Sequence, residues 1–139
     1  MASMRENVDR LKDAYRRWDQ SKGKDTTMWT SLFAADVRLR SLAGGRPGLE
    51  FTLDCRSLQD VARYFEGLTG DWEMIHYTTE EFAAQGERVV MLGSTSWKHK
   101  KTGETFDTPK VDLITFRGDR IAEPVVGPML PPGQNPFVE

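Results

Sequence analysis

The spacing of apolar residues near the amino terminus predicts two helices. In the first, the apolar positions recur at steps of three and four, at Val8, Leu11, Tyr15 and Trp18. Because charged residues fill the positions between them, this pattern indicates an amphipathic helix over residues 3–20. A second, shorter helix should begin near Asp25 or Thr27, whose side chains can cap a helix, and run to Phe33.

The middle of the chain predicts two short strands and a third helix. The segment DVRLRSL, residues 36–42, alternates apolar and charged positions in the manner of a strand. After the turn AGGRPG, the segment LEFTLD, residues 49–54, predicts a second short strand. Ser57 can cap the following helix, whose apolar positions return at helical spacing until Gly70 closes it.

From Asp71 onward the pattern becomes extended. Four segments have the composition and alternation of strands: WEMIHYTTEEF, ERVVMLGSTSWKH, ETFDTPKVDLITF and DRIAEPVV. Short connections that contain glycine separate these segments, which indicates hairpins. The sequence therefore predicts an α+β domain in which three helices are followed by a four-stranded antiparallel meander.

Prolines gather at the carboxyl end of the chain. Five of the seven prolines fall within residues 124–139. Since proline donates no hydrogen bond to a strand ladder, the last strand should be short or lie at a sheet edge. We expect one domain over residues 1–123 and an extended proline-rich arm over residues 124–139.

Composition and charge narrow the class of protein. The 139 residues carry a net charge of −2 with both signs interspersed, so no nucleic-acid partner is expected. No apolar run approaches the length of a membrane span, and the first residues lack the apolar core of a signal peptide, which predicts a cytoplasmic protein without a membrane partner. The single Cys55 and the separated His76 and His99 predict neither a disulfide nor a metal site.

One carboxylate interrupts an apolar strand face. In the segment TPKVDLITFRGDRIAE, residues 108–123, strand spacing places Asp112 on the same face as Ile114 and Phe116. Two interpretations fit this position. Either the carboxylate lies near a strand end, in solvent or paired with Lys110, or it is buried in a pocket whose apolar surroundings disfavour its charged form.

Five segments between residues 8 and 123 carry a family resemblance: LKDAYRRWD, WTSLFAADVRLRS, CRSLQDVARYFEGL, FAAQGERVVMLGSTSWK and KVDLITFRGDRIAE. Together they resemble the nuclear transport factor 2-like superfamily, in particular its SnoaL-like and ketosteroid isomerase-like branch. The resemblance implies a cone-shaped fold, in which a curved antiparallel sheet wraps around the long N-terminal helix and encloses an apolar pocket. It also implies a homodimer formed through the sheet, a small apolar ligand and no cofactor.

The resemblance assigns roles to two residues. In ketosteroid isomerase-like proteins, a protonated aspartate in an apolar pocket donates a hydrogen bond to the substrate oxyanion, and Asp112 corresponds to it. A tyrosine on the first helix assists, which corresponds to Tyr15 here, although Trp18 could occupy that space instead. The alternative for Tyr15 is a core aromatic residue with a satisfied hydroxyl group.

The general base of the isomerases is missing from the matching position. By the resemblance that position is Ser41, and a serine hydroxyl cannot shuttle a proton between carbons as a carboxylate does. Isomerisation by the standard mechanism of the family is therefore not expected. His76 is a candidate acid or base, or else a histidine packed in the sheet or at an interface. Asp54 is a further candidate, with a turn carboxylate as the favoured alternative.

The aromatic residues suggest a wall for a flat ligand. The candidates for ligand contact are Trp18, Trp29, Phe33, Trp97, His99 and Phe116. The same aromatic residues could instead fill the core, and His99 lies near a predicted turn, where solvent exposure is favoured. If the protein is an enzyme, the resemblance implies cofactor-independent isomerisation, cyclisation or dehydration of an apolar carbonyl compound. The alternative is a non-catalytic ligand-binding or dimerisation module of the same fold.

Overall fold

The computed structural model describes residues 3–42 and 52–127. This part of the chain contains three helices: α1 (Met4–Gln20), α2 (Thr27–Leu32) and α3 (Leu58–Asp71). Its five strands form one sheet: β1 (Arg40–Ser41), β2 (Trp72–Gln85), β3 (Arg88–His99), β4 (Thr105–Arg117) and β5 (Arg120–Val126). The predicted α+β class is confirmed, and each helix lies close to its predicted position.

The sheet has the strand order β1-β5-β4-β3-β2. Strands β2 to β5 form the predicted antiparallel meander. Strand β1 pairs with β5 in the parallel direction, with Arg40 opposite Val125, so the sheet is mixed and not purely antiparallel as predicted. The difference arises because the meander leaves one edge of β5 open, and the chain leaving α2 pairs with that edge.

Two features of the predicted chain layout change in the structure. Residues 49–51 of the second predicted short strand lie outside the described residues, and residues 52–54 are not in a strand. Next to them, Leu39 and Cys55 form an isolated antiparallel bridge. Strand β5 continues through Pro124, opposite Ile114, and so crosses the predicted domain boundary. The rest of the predicted arm, residues 128–139, lies outside the described residues.

Helix α1 is defined by its cap and its buried face. The Ser3 side chain accepts a hydrogen bond from the Glu6 amide at 3.1 Å, and the Glu6 carboxylate accepts one from the Ser3 amide, which together form a capping box. Leu11, Tyr15 and Trp18 are buried, as the spacing of three and four predicts. The helix thereby directs Tyr15 and Trp18 to the concave side of the sheet.

Two irregularities curve the long strands of the sheet. The register between β2 and β3 shifts between Met74 and His76 and again between Thr79 and Glu81, and such bulges bend and twist a strand. Beside the second shift, the two backbones come so close that a Cβ on Gly93 would lie 2.0 Å from the Thr78 carbonyl oxygen. None of the helices in residues 3–42 and 52–127 is long and apolar enough to span a membrane.

Candidate functional site

A cavity of about 80 Å³ lies between the helices and the concave face of the sheet. Aromatic side chains form much of its wall: Tyr15, Trp18, Trp29, Phe33, Tyr64 and Trp97. Two charged side chains, Lys110 and Asp112, reach the cavity from β4. The cavity is therefore apolar with one charged pair, and small-molecule sites commonly combine an apolar wall with a few polar groups.

Asp112 is buried at this cavity, with 2 % of its surface exposed. Its position follows from the period of the strand, because Lys110, Asp112 and Ile114 are all buried on one face of β4. Oδ2 of Asp112 accepts hydrogen bonds from the hydroxyl groups of Tyr15 at 2.7 Å and of Tyr77 at 2.9 Å. Three different elements, α1, β2 and β4, thus converge on one carboxylate oxygen.

The second carboxylate oxygen, Oδ1, accepts the other two hydrogen bonds of Asp112. It accepts hydrogen bonds from Nζ of Lys110 at 2.5 Å and from the backbone amide of Gly127 at 3.2 Å. The same ammonium group donates to the carbonyl oxygen of Gly127 at 3.1 Å. The sequence left two interpretations of Asp112 open, pairing with Lys110 or burial in a pocket. In the structure Asp112 is buried and is also paired with Lys110.

These four contacts make Asp112 an acceptor. A carboxyl group that donates to a substrate oxyanion must carry a proton on one oxygen, whereas both oxygens of Asp112 accept two hydrogen bonds each. One of the four donors is the ammonium group of Lys110, which makes a charge-assisted hydrogen bond to Oδ1. In all four contacts Asp112 is the acceptor, and its expected role as a protonated donor stays a prediction.

The tyrosines around Asp112 are held in the neutral, hydroxyl form. Burial raises the pKa of Tyr15 and of Tyr77 well above the usual value, and the negative charge of Asp112 raises both further. Burial also raises the pKa of Tyr64, again with a contribution from Asp112. The rings of Tyr15 and Tyr77 stack at a centroid distance of 5.7 Å, which directs both hydroxyl groups to the same oxygen.

A β-bulge decides which residue of β2 reaches the cavity. Strict alternation from Met74 would place His76 and Thr78 on the inward face. The register shift after Met74 adds Ile75 as an extra residue, so Met74 and Tyr77 are both buried and Tyr77 lines the cavity. His76 does not line it, and its Nδ1 instead lies 3.1 Å from the hydroxyl oxygen of Thr78. The structure thus gives no support to His76 as a pocket acid or base. The sequence pattern could not show this, because a β-bulge cannot be recognised from the alternation of residues alone.

The other predicted site residues divide into two groups. Four of the predicted ligand-contacting residues line the cavity: Trp18, Trp29, Phe33 and Trp97. His99 and Phe116 do not, because His99 packs edge-on against Trp72 at a centroid distance of 4.7 Å and Phe116 is buried in the core. Asp54 is exposed and is also absent from the cavity wall.

Ser41, where the resemblance places the base of the isomerases, does line the cavity. Among the described residues in the cavity wall, Asp112 is the only carboxylate and none is a histidine. Over residues 3–42 and 52–127, no three side chains of Asp, Glu, His or Cys come together as a metal-binding group. Asp112 is therefore the only carboxylate or imidazole base that the described residues place in the cavity wall.

The sequence reasoning missed Lys110 and Tyr77 as site residues. The signal for Lys110 was present, because it precedes Asp112 by two residues and a strand period of two puts both on one face. Tyr77 gave no such signal, since its inward position depends on the bulge at Ile75. Tyr64 was expected only in the apolar stripe of its helix, and it also lines the cavity.

A family model matches most of the chain. Residues 11–123 match the model of the SnoaL-like domain, which is nearly the span that carried the resemblance in the sequence. A search of curated protein sequences found no match to this chain.

Solved structures share the fold at low sequence identity. A nuclear transport factor 2-like protein of unknown function from Burkholderia pseudomallei K96243 has a TM-score of 0.73 and 18% identity, covering 86% of this chain and 88% of that chain. TerC, co-crystallised with polyporic acid, has a TM-score of 0.70 and 17% identity, covering 86% and 88%. A protein with a ketosteroid isomerase-like fold from Catenulispora acidiphila DSM 44928, in complex with trimethylamine, has a TM-score of 0.65 and 17% identity, covering 78% and 79%. At these identities the likeness shows the fold alone.

Proposed function

We propose that this chain, which belongs to the SnoaL-like domain family, is a small-molecule pocket protein that transfers a proton within a small, largely apolar carbonyl compound. The proposed reaction class is isomerisation, cyclisation or dehydration without a cofactor. One observation carries the proposal: the carboxylate of Asp112 lies in the wall of an aromatic cavity and is held there by the hydroxyl groups of Tyr15 and Tyr77.

In this proposal Asp112 is the group that accepts the proton. Its Oδ2 already accepts two tyrosine hydroxyl groups, so one of them must turn away before a substrate carbon can deliver a proton there. A phenol hydroxyl can rotate about its C–O bond without moving the ring. Turned into the cavity, it donates a hydrogen bond to the substrate oxygen, which becomes negative as the proton leaves the carbon.

The proposed steps balance without another reactant. The carbon next to the carbonyl group loses its proton to Oδ2 of Asp112, and the electron pair of the C–H bond moves to the carbonyl oxygen to form an enolate. Return of that proton to a different carbon of the conjugated system completes an isomerisation. In a dehydration, the proton goes instead to a departing hydroxyl group, which leaves as water.

Two of the similar structures support a ligand for a cavity in this fold. TerC was crystallised with polyporic acid, and the Catenulispora protein is in complex with trimethylamine. Both compounds are organic molecules, which agrees with a small organic ligand here. The aromatic wall of Trp18, Trp29 and Trp97 offers such a ligand a large apolar contact.

Exchange of carbon-bound protons tests the proposal without knowledge of the natural substrate. Small ketones such as cyclohexanone and cyclopentanone are incubated with the protein in deuterium oxide, and the loss of the α-proton signal is followed by NMR. We expect the protein to accelerate exchange, and Asp112→Asn to slow it by about 10²–10⁴-fold, the usual contribution of a positioned acid or base. Asp54→Asn is the matched control, because Asp54 is an exposed carboxylate outside the cavity wall. Ketones that bind without accelerated exchange would show that the catalytic part is wrong.

A non-catalytic ligand-binding protein is the second candidate. It is favoured by the four hydrogen bonds that Asp112 already accepts and by Ser41 in place of the base of the isomerases. It predicts that small ketones quench the fluorescence of the tryptophans in the cavity wall and that α-proton exchange stays at the rate of buffer.

The homodimer and the cytoplasmic location expected from the sequence are kept here as proposals. Ile75 and Leu92 expose 43% and 39% of their surface on neighbouring strands of the sheet, which supplies apolar area for a second copy. Light scattering of the parent protein and of Leu92→Lys tests the dimer, which the added charge should weaken. Cell fractionation tests the location.

A further inference from the structure

Lys110 is a buried cation in the wall of the cavity. Its surface is 7% exposed, and it lies on the same face of β4 as Asp112. Buried lysines need partners, because taking an ammonium group out of water costs several kcal/mol. An N–H group of Lys110 that has no acceptor in the protein is therefore available to a ligand in the cavity.

Two of the three N–H groups of Lys110 have acceptors. Nζ donates to Oδ1 of Asp112 at 2.5 Å and to the carbonyl oxygen of Gly127 at 3.1 Å. Within residues 3–42 and 52–127, no third acceptor lies within hydrogen-bonding distance of Nζ, and the ring of Tyr77 is 5.9 Å away. That distance is near the limit for a cation–π contact, so the ring is a weak partner at best.

The tyrosine hydroxyl groups, in contrast, have no spare proton at rest. The hydrogens of Tyr15 and Tyr77 are both donated to Oδ2 of Asp112. Before any hydroxyl group turns, the remaining N–H of Lys110 is thus the donor in this cluster that a ligand can use. A charged donor also makes a stronger hydrogen bond than a neutral hydroxyl group.

The charge of the cluster favours a neutral ligand. The positive charge of Lys110 is balanced by the adjacent carboxylate of Asp112. An anionic ligand would bring an additional, uncompensated negative charge into an aromatic cavity, at a large cost in desolvation. A neutral carbonyl group supplies an acceptor oxygen without that cost.

The size of the cavity limits the ligand further. A cavity of about 150 Å³ in another protein accommodates benzene. At about 80 Å³, the cavity here is smaller still, and well below the range of about 300–1,000 Å³ that is usual for drug-sized ligands. The space bounded by the described residues therefore favours a small ligand, of about one ring, over a polycyclic one.

We propose that Lys110 anchors the ligand, and that the ligand is a neutral compound of no more than about one ring whose carbonyl oxygen accepts the remaining N–H of Lys110. This inference rests on the proposed function, because it names the ligand class of the same cavity. It also assigns the first contact of that ligand to a residue other than the tyrosines and Asp112.

The test compares two ligands that differ only at the oxygen. Cyclohexanone and methylenecyclohexane have nearly the same shape, but only the ketone accepts a hydrogen bond. We expect the parent protein to bind cyclohexanone at least about tenfold more tightly, as measured by tryptophan fluorescence, because a charged donor contributes that much to a buried hydrogen bond. The carbonyl ¹³C resonance of labelled cyclohexanone should move downfield on binding.

Variants identify the donor. Lys110→Met should remove both the ketone preference and the ¹³C shift, while the affinity for methylenecyclohexane stays within about twofold. Because this variant leaves the carboxylate unpaired, the double variant Lys110→Met/Asp112→Asn provides a neutral version of the same cavity. Its amide group replaces a charged donor with a neutral one, so the ketone preference should fall clearly below that of the parent. Lys98→Met is the matched control, since Lys98 is exposed on the neighbouring strand, and it should behave as the parent.

Each contrary result has a distinct meaning. Equal affinity of the parent for the ketone and the alkene, or a ketone preference in Lys110→Met and in the double variant as large as in the parent, would overturn the role of Lys110. Tighter binding of benzoate than of cyclohexanone would overturn the neutral ligand class. If exchange of bound ketone protons still depends on Asp112 in these cases, the proposed function stands and only this inference fails. If neither ring compound binds, both are wrong.

Discussion

The ammonium nitrogen of Lys110 lies 2.5 Å from a carboxylate oxygen of Asp112, and both side chains are almost completely buried. A buried ion pair is weak support for stability, because the cost of removing both charges from water can exceed their attraction. Here the cost is reduced by further hydrogen bonds from Tyr15, Tyr77 and Gly127. The pair lies in the cavity wall, where we propose that it binds the ligand.

The coupling between the two charges can be measured. Lys110→Met leaves an unpaired buried carboxylate and should lower the free energy of unfolding by about 3–5 kcal/mol. The double variant Lys110→Met/Asp112→Leu should lose clearly less than the sum of the two single variants, as measured by urea denaturation with circular dichroism. The exposed pair Arg117 and Asp36 is the control, and the same cycle there should give little or no coupling, because solvent screens both charges. Additive losses at the buried pair would contradict its role as a coupled unit.

The hydroxyl group of Tyr77 should matter more than that of Tyr64. Tyr77→Phe removes a buried donor to Asp112, which should lower the free energy of unfolding by about 1–3 kcal/mol and slow α-proton exchange. Tyr64→Phe is the matched control, because Tyr64 is a partly buried tyrosine of the same cavity whose hydroxyl group is hydrogen-bonded to Ser41. Exchange rates from NMR and unfolding curves of both variants provide the comparison. Equal loss of exchange in both would speak against a specific part for Tyr77.

Stability should decline in alkaline solution because of the tyrosines. Burial, together with the charge of Asp112, raises the pKa of Tyr15 and Tyr77 above the unfolded value of about 10, so the native state keeps protons that the unfolded state loses. Below that pH both states are protonated and stability does not depend on these groups. Above it, each tyrosine should lower the free energy of unfolding by about 1.4 kcal/mol per pH unit.

Tyrosinate absorbance at 295 nm checks the alkaline prediction. We expect the signal to rise together with the loss of circular dichroism, since the buried hydroxyl groups ionise only on unfolding. Tyr77→Phe should make the decline of stability less steep. A gradual rise in absorbance near pH 10 in the folded protein would show that the hydroxyl groups are accessible and the prediction wrong.

The close approach of Gly127 to β4 should be required for the site. A Cβ at this position would lie 2.6 Å from the carbonyl oxygen of Val111, so Gly127→Ala must displace the backbone that contacts both Lys110 and Asp112. We expect a loss of about 1–3 kcal/mol in urea denaturation and weaker ketone binding. Gly70→Ala in α3 is the control, because its Cβ meets no atom within 4 Å, and it should be neutral or stabilising by up to about 1 kcal/mol. Unchanged ketone binding in Gly127→Ala would separate this backbone from the site.

The local spacing of apolar and polar residues was enough to predict much of the fold. The steps of three and four in α1, the cap at Ser57, and the glycine-containing connections between strands are each expressed within a few neighbouring residues, and all were predicted from the sequence. The same holds for the inward face of β4, where no register shift separates Asp112 from Ile114 and a period of two places both on one face. The fold class was confirmed as well, and the family resemblance was confirmed by the match of residues 11–123 to the model of the SnoaL-like domain.

The site depends on contacts that no local pattern expresses. The hydrogen bond between Tyr15 and Asp112 joins residues 97 positions apart, and it forms only when α1 packs into the curved sheet. The bulge at Ile75, which exchanges His76 for Tyr77, depends on the pairing of β2 with β3, and the parallel pairing of β1 depends on the open edge of β5. Periodicity could place a carboxylate on a buried face, whereas its charge state and its donors follow from the tertiary packing that surrounds it.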